Sequence, residues 1–215
     1  MKHWPRMIPL LLLAATQTCS IGQPSAWGAP PAIEITPLEK GQILRGKFEQ
    51  LRTLKGFDAP LKSTGSFTLV PGRGLIWRTE APFAMTTIMS PTGLIQEMAG
   101  RETMRAPAAR LPFMSKLYGM LGGALGGDWQ ALSGAFNVSR KSDAKGWQVT
   151  LVPLKADDPN MPLRSIGLQG RKFVEEVDMA KPNGDREKLV LFDQKLDAGA
   201  LSADEETLLT TAGKL

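Results

Sequence analysis

The chain has 215 residues, with 26 Lys and Arg against 21 Asp and Glu, and a single Cys and a single His. The excess of base is slight and forms no dense run, so a nucleic-acid-binding stripe is not indicated. No apolar stretch reaches the roughly 20 residues that a membrane-spanning helix needs.

Residues 1–28 read as a secretory signal. Lys2 and Arg6 form the positive end, Met7 to Ala15 a short apolar stretch, and Ala26-Trp27-Gly28 a small-residue cleavage site. A lipid anchor on Cys19 is the other reading, but Thr16-Gln17-Thr18 before it is a poor match to a Leu-Ala-Gly lipobox. The expected mature chain is one domain, 29–215, in the periplasm. Loss of Lys2 and Arg6 takes the basic count from 26 to 24 and the net charge to +3. Cys19 and His3 leave with the signal. The mature chain then has no thiol for a disulfide, no Ser-His-Asp or Cys-His machinery, and no His/Cys zinc site. No metal and no cofactor are expected.

Thr36-Pro37-Leu38-Glu39 suits a single helical turn ended by Gly41. Residues 43–55 then read as a strand, with Leu44, Gly46 and Phe48 on one side and Arg45, Lys47 and Glu49 on the other. Strands follow at 63–70, 74–80, 83–90 and 93–98, broken at Pro71-Gly72, Ala81-Pro82 and Pro91-Thr92-Gly93. Apolar groups alternate along them: Phe67 and Leu69; Leu75, Trp77 and Thr79; Phe83, Met85, Thr87 and Met89. Such alternation marks a sheet with one apolar face and one wet face. Segment 101–111 is polar and Pro/Ala-rich and reads as a loop.

Residues 112–127 change period. Phe113, Met114, Leu117, Met120, Leu121, Ala124 and Leu125 fall at helical spacing. Gly119, Gly122 and Gly123 interrupt the helix, each costing about 1 kcal/mol relative to Ala, so it depends on whatever it packs against. Strands resume at 136–141, 147–154, 163–170, 173–178 and 188–195, with hairpin turns at 143–146 and 182–185. Ser202 and Glu205 form a capping box that opens a helix over 203–212. About ten antiparallel strands make a sheet long enough to curl or close.

Three local patterns carry no chemistry. The glycines of 119–127 match neither G-x-G-x-x-G nor a phosphate loop. Ser142-Asp143-Ala144-Lys145 has S-x-x-K spacing but lies in a polar turn. Glu175 and Glu176 are neighbours on a strand and point to opposite faces.

The order Gly46-x-Phe48-x-Gln50, Gly65-x-Phe67, Trp77, Pro82, Pro91-Thr92-Gly93, Pro112-Phe113, Asp128-Trp129 and Gly146-Trp147-x-Val149-x-Leu151-x-Pro153 resembles the LolA/LolB family of lipoprotein carriers, in a divergent LolA-like branch. The resemblance implies a mainly β fold, an incomplete antiparallel β-barrel of about ten to eleven strands with a helical lid. It implies a non-catalytic periplasmic carrier that shields the acyl chains of a lipoprotein or other lipidated cargo. Its partners would be an inner-membrane donor and an outer-membrane acceptor, and the protein would be a monomer.

The expected lipid-binding residues are Phe48, Phe67, Trp77, Phe83, Met85 and Met89 from the strands, with Met114, Leu117, Met120 and Leu121 from the lid helix. Methionine is flexible and polarizable and suits varied apolar partners, and Met85, Met89, Met98, Met104, Met114 and Met120 crowd into one stretch. Carriers of this type hold the lid with the Arg of an Arg-Pro pair ahead of the Trp. Here those places are Pro71 and Gly72, so Arg73, displaced by two, is the latch candidate. The alternatives are a hydrolase of lipid-like esters and a lipid-sensing regulatory domain of the same fold.

Overall fold

Eleven strands in one antiparallel sheet dominate the computed structural model, which describes residues 38, 39, 41–111, 130–156, 158 and 162–214. The strands are β1 (Ile43–Thr53), β2 (Leu61–Val70), β3 (Gly74–Ala81), β4 (Met85–Ser90), β5 (Gly93–Met98) and β6 (Arg101–Pro107), then β7 (Phe136–Asp143), β8 (Gly146–Pro153), β9 (Ser165–Gly170), β10 (Val174–Ala180) and β11 (Arg186–Asp197). Two helices, α1 (Gln130–Ser133) and α2 (Ala203–Ala212), are present among the described residues, with a 3-10 turn at Ala108–Arg110. The sheet order is β6-β5-β4-β3-β2-β1-β11-β10-β9-β8-β7. Every pairing is a local hairpin except β1 with β11, which joins the two ends of the chain in the middle of the sheet. The sheet does not close, since β6 and β7 are its two edges. The fold is mainly β, an incomplete antiparallel barrel.

Most hairpin turns fall where Pro, Gly and Asp punctuate the sequence: Val70 pairs with Gly74, Ser90 with Gly93, and Asp143 with Gly146. The capping box forms as expected. Ser202 Oγ accepts from the Glu205 amide at 3.2 Å, and Glu205 Oε2 accepts from the Ser202 amide at 2.9 Å.

Segment 101–111 is not a loop; Arg101–Pro107 is edge strand β6. Its residues are exposed nearly throughout. A strand wet on both faces has no alternation to read, and charges on an edge discourage unwanted pairing. The strand expected from residue 83 begins at Met85. Helix α1 was not expected. The signal, the helix at 113–125, and residues 29–37 and 40 ahead of β1 lie outside the described residues.

The two faces of the sheet bury separate clusters. On the inner face Leu44, Phe67, Leu69 and Leu75 belong to one continuous cluster with Phe136, Trp147, Val149, Leu151, Ile166, Leu168, Val174 and Val177 from the other half. The opposite face of β1–β5 was expected to be wet. It instead presents Ile43, Val70, Ile76, Ile88 and Ile95, packed beneath Leu209 and Ala212 of α2. The alternation expected of a one-sided sheet survives in β8, where buried and exposed residues strictly alternate after Gly146. Under α2 it disappears because both faces are apolar.

Candidate functional site

The inner face of β1–β4 is built on two phenylalanines and two glycines. In the β1–β2 register Gly46 faces Phe67 and Phe48 faces Gly65, so each ring lies against a residue with no side chain. A Cβ on Gly46 would sit 2.7 Å from Phe67 Cε1 and Cζ, and one on Gly65 would sit 3.0 Å from Phe48 Cε1. The Phe48 ring therefore crosses β2 and stacks on Trp77 of β3, with centroids 3.8 Å apart and planes at 22°. Phe67 stacks on the same indole at 6.1 Å. Offset aromatic pairs of this kind add about 0.5–1.5 kcal/mol beyond burial.

Phe48 and Phe67 are buried, while Trp77 keeps partial exposure. Thr87 lies opposite Trp77, Met85 opposite Thr79, and Met89 between Leu75 and Leu94. Met179, Leu189 and Leu191 face them from the other half, only partly buried. The inner face is thus a sealed aromatic floor bordered by apolar side chains that still have surface to offer.

Five of the ten expected residues, Phe48, Phe67, Trp77, Met85 and Met89, come together on this face. Phe83 does not join them: it is 75% exposed in the β3–β4 loop. Met114, Leu117, Met120 and Leu121 lie outside the described residues. Met179, Leu189 and Leu191 were not singled out from the sequence, where their strands read as ordinary alternation.

Two polar features bound the inner face. Near the β10–β11 loop, Glu187 accepts from Gln50 Nε2 and lies 3.7 Å from Arg52 and 3.9 Å from Lys181. At the other end a cavity of about 1300 Å³ opens beside Trp147, Phe173, Leu191 and Gln194. There Gln194 Nε2 donates to the Val174 carbonyl at 2.7 Å, and its buried Oε1 has no hydrogen-bond partner among the described residues. Among the described residues no group of three or more His, Cys, Asp and Glu is placed to hold a metal ion. Ser142 and Lys145 sit at the β7–β8 hairpin, as their turn composition implied.

Arg73 latches a helix, and the helix is α2 on the opposite face. Its Nη1 and Nη2 donate to the two Glu206 oxygens at 2.8 and 2.7 Å. Arg78 pairs with Asp204 beside it, and Arg45 donates to Glu205. Burial alone would raise the Glu205 carboxyl. Hydrogen bonds from Arg45, the Ser202 amide and Thr68, with the Arg45 charge, outweigh it and hold the group down at about 2.

A half-closed antiparallel barrel with an apolar inner face defines a carrier-type, lipid-binding domain. Residues 34–211 match the family described as outer membrane lipoprotein carrier protein LolA-like, and the chain belongs to that family. Among solved structures it is similar to a LolA superfamily protein from Nitrosomonas europaea, at 11% identity and TM-score 0.40 over 75% of this chain and 88% of that one. It is similar to MucB in the MucA/MucB complex of Pseudomonas aeruginosa, at 11% identity and TM-score 0.44 over 76% of this chain and 54% of that one. It is also similar to LprF from Mycobacterium bovis, at 13% identity and TM-score 0.35 over 74% of this chain and 88% of that one. No curated protein matches the sequence.

Proposed function

We propose that this protein is a non-catalytic periplasmic carrier that shelters the acyl chains of a lipoprotein or another lipidated molecule on the inner face of its open barrel. It would receive cargo from an inner-membrane donor and yield it to an outer-membrane acceptor. The observation that carries this reading is the partly buried apolar border, Trp77, Met85, Met89, Leu189 and Leu191, around the sealed floor of Phe48 and Phe67. A core has no reason to leave such side chains incompletely covered, and acyl chains would complete that cover without directional bonds.

Burying a methylene is worth about 0.8 kcal/mol, so affinity should climb with chain length. Titrating fatty acids of increasing length against a displaceable fluorescent probe tests this. Equal affinity for short and long chains would sink the carrier reading. Intact mass of the secreted protein tests the processing: a chain beginning at Ala29 supports a soluble periplasmic carrier, and a diacylated chain beginning at Cys19 replaces it with a membrane-fixed acceptor.

A further inference from the structure

Glu187 stands on the inner, apolar face of the sheet. The register sets it opposite Arg52 of β1 and opposite Met179 of β10. Its side chain is 13% exposed, against 47% for Arg52 and 33% for Lys181. A carboxylate buried to that degree needs close partners. Gln50 Nε2 supplies one hydrogen bond. The two cations stop short: Arg52 Nε lies 3.7 Å from Glu187 Oε2, and Lys181 Nζ lies 3.9 Å from it. Other pairs of the molecule close fully, Arg45–Asp197 and Lys62–Glu49 at 2.7 Å and Lys188–Glu176 at 2.8 Å. Neither the Arg52 nor the Lys181 side chain donates a hydrogen bond to another described residue.

We propose that Arg52 and Lys181 bind the anionic head of an acyl cargo, a carboxylate or a phosphate, with the tail laid along the inner face of β11. The inference rests on the carrier reading and names the cargo class within it: an acidic amphiphile. Position is the first argument. Same-face residues of a strand are about 7 Å apart. A tail leaving the cluster reaches Leu189 after one such step and Leu191 after two, both apolar and only partly buried. Phe48 stands opposite Leu191. Lys181 is set at the rim by its backbone, whose amide donates to the Asp185 carbonyl at 2.9 Å and whose carbonyl accepts from the Gly184 amide at 3.1 Å.

Charge is the second argument. Arg52 and Lys181 against Glu187 leave one positive charge in excess on the inner face. Asp185 feels both cations, but its carboxylate is held below its usual range first by the Lys55 amide, at 3.0 Å, and then by the Asn183 side-chain N–H, at 2.8 Å. A guanidinium fork matches two oxygens of one carboxylate or phosphate, and an ammonium adds a further donor. An ion pair kept for stability alone closes, because an open one bears the cost of desolvation without the full attraction. The open pair keeps its donors for another anion.

The test is a displacement titration at low ionic strength, where screening is weak. The probes are lauric acid, dodecyl phosphate and dodecanol, which share one tail and differ in head. The proteins are wild type, Arg52→Gln/Lys181→Gln, Glu187→Gln, and Lys62→Gln as a charge control on the opposite face, where Lys62 pairs with Glu49. Wild type and Lys62→Gln should bind an acid about tenfold more tightly than the alcohol, the scale of one charge-assisted contact. The acid with the larger gain names the head. The preference should vanish in the double variant with affinity for the alcohol unchanged, and should grow severalfold in Glu187→Gln, where the competing carboxylate is gone. Equal affinity of wild type for acids and alcohol overturns the proposal and leaves the carrier reading in place. A preference that survives the double variant, or weaker acid binding by Glu187→Gln, also overturns it and makes the cluster a structural ion pair. Octanoic acid bound as tightly as lauric acid, with the preference intact, would leave the anion site standing and defeat the carrier reading instead.

Discussion

Arg45 on the first strand and Glu205 on the last helix are joined by two hydrogen bonds, Nε to Oε1 at 3.3 Å and Nη2 to Oε2 at 2.9 Å. The same carboxylate accepts from Thr68 Oγ1 at 2.9 Å and from the Ser202 amide. One side chain thus caps its own helix and fastens that helix to β1 and β2. At the far end of α2 the Ala212 carbonyl accepts from Ser90 at 3.0 Å and Thr92 at 2.6 Å. Both ends of the helix are pinned over the isoleucine face.

This arrangement fixes an acid limit. The Glu205 carboxyl ordinarily titrates near 4.5 and is held at about 2 in the folded protein. A lowered folded value means the contribution is complete above the ordinary value and is lost as pH falls through the window between the two. Its size is on the order of 3 kcal/mol. Thermal unfolding against pH should show wild type losing stability across that window, and Glu205→Gln, already weaker at neutral pH, losing much less. Parallel curves would refute the assignment.

Gly65→Ala should be among the most damaging single-methyl additions in the chain. The new Cβ would lie 1.9 Å from the Arg78 carbonyl oxygen, which is backbone of the neighbouring strand. Relief requires parting β2 from β3, at a cost of about 3 kcal/mol or more. Gly46→Ala meets side-chain atoms, the Phe67 ring at 2.7 Å and Gln194 Cγ at 3.1 Å, which can give way where a backbone carbonyl cannot, so a loss of about 1–2 kcal/mol is expected. Denaturant midpoints of the two variants decide the order.

Met85→Gln should weaken long-chain fatty-acid binding about tenfold, because a polar group replaces apolar area at the border of the inner face. Met85 is only partly buried, so the melting temperature should hardly move. A variant that binds as well as wild type would remove Met85 from the acyl path.

Arg73→Ala separates two kinds of latch. The Arg73–Glu206 pair is exposed and fastens α2, and exposed pairs contribute little. A small drop in melting temperature with an unchanged fatty-acid dissociation rate is expected. A faster dissociation rate would show that Arg73 also restrains the cargo.

Much of this protein is written in local pattern. The apolar alternation places β1–β5 and β8–β11 to within a few residues, because a side chain that must face the core recurs at every second position. Ser202 and Glu205 announce α2, because a helix start needs its orphan amides met. The G-x-F pairs at Gly46–Phe48 and Gly65–Phe67 are visible too, but their meaning is not. Only the antiparallel register sets each ring over the other strand's glycine and carries Phe48 across to Trp77. Tertiary structure alone also decided that β1 pairs with β11, that the wet-looking β6 is a strand, and that the second face of β1–β5 lies under α2. It turned Arg73 toward Glu206 and left Phe83 in solvent at the barrel's end. These are contacts between residues far apart in the chain, and short-range periodicity reports which way a side chain faces, not what comes to meet it.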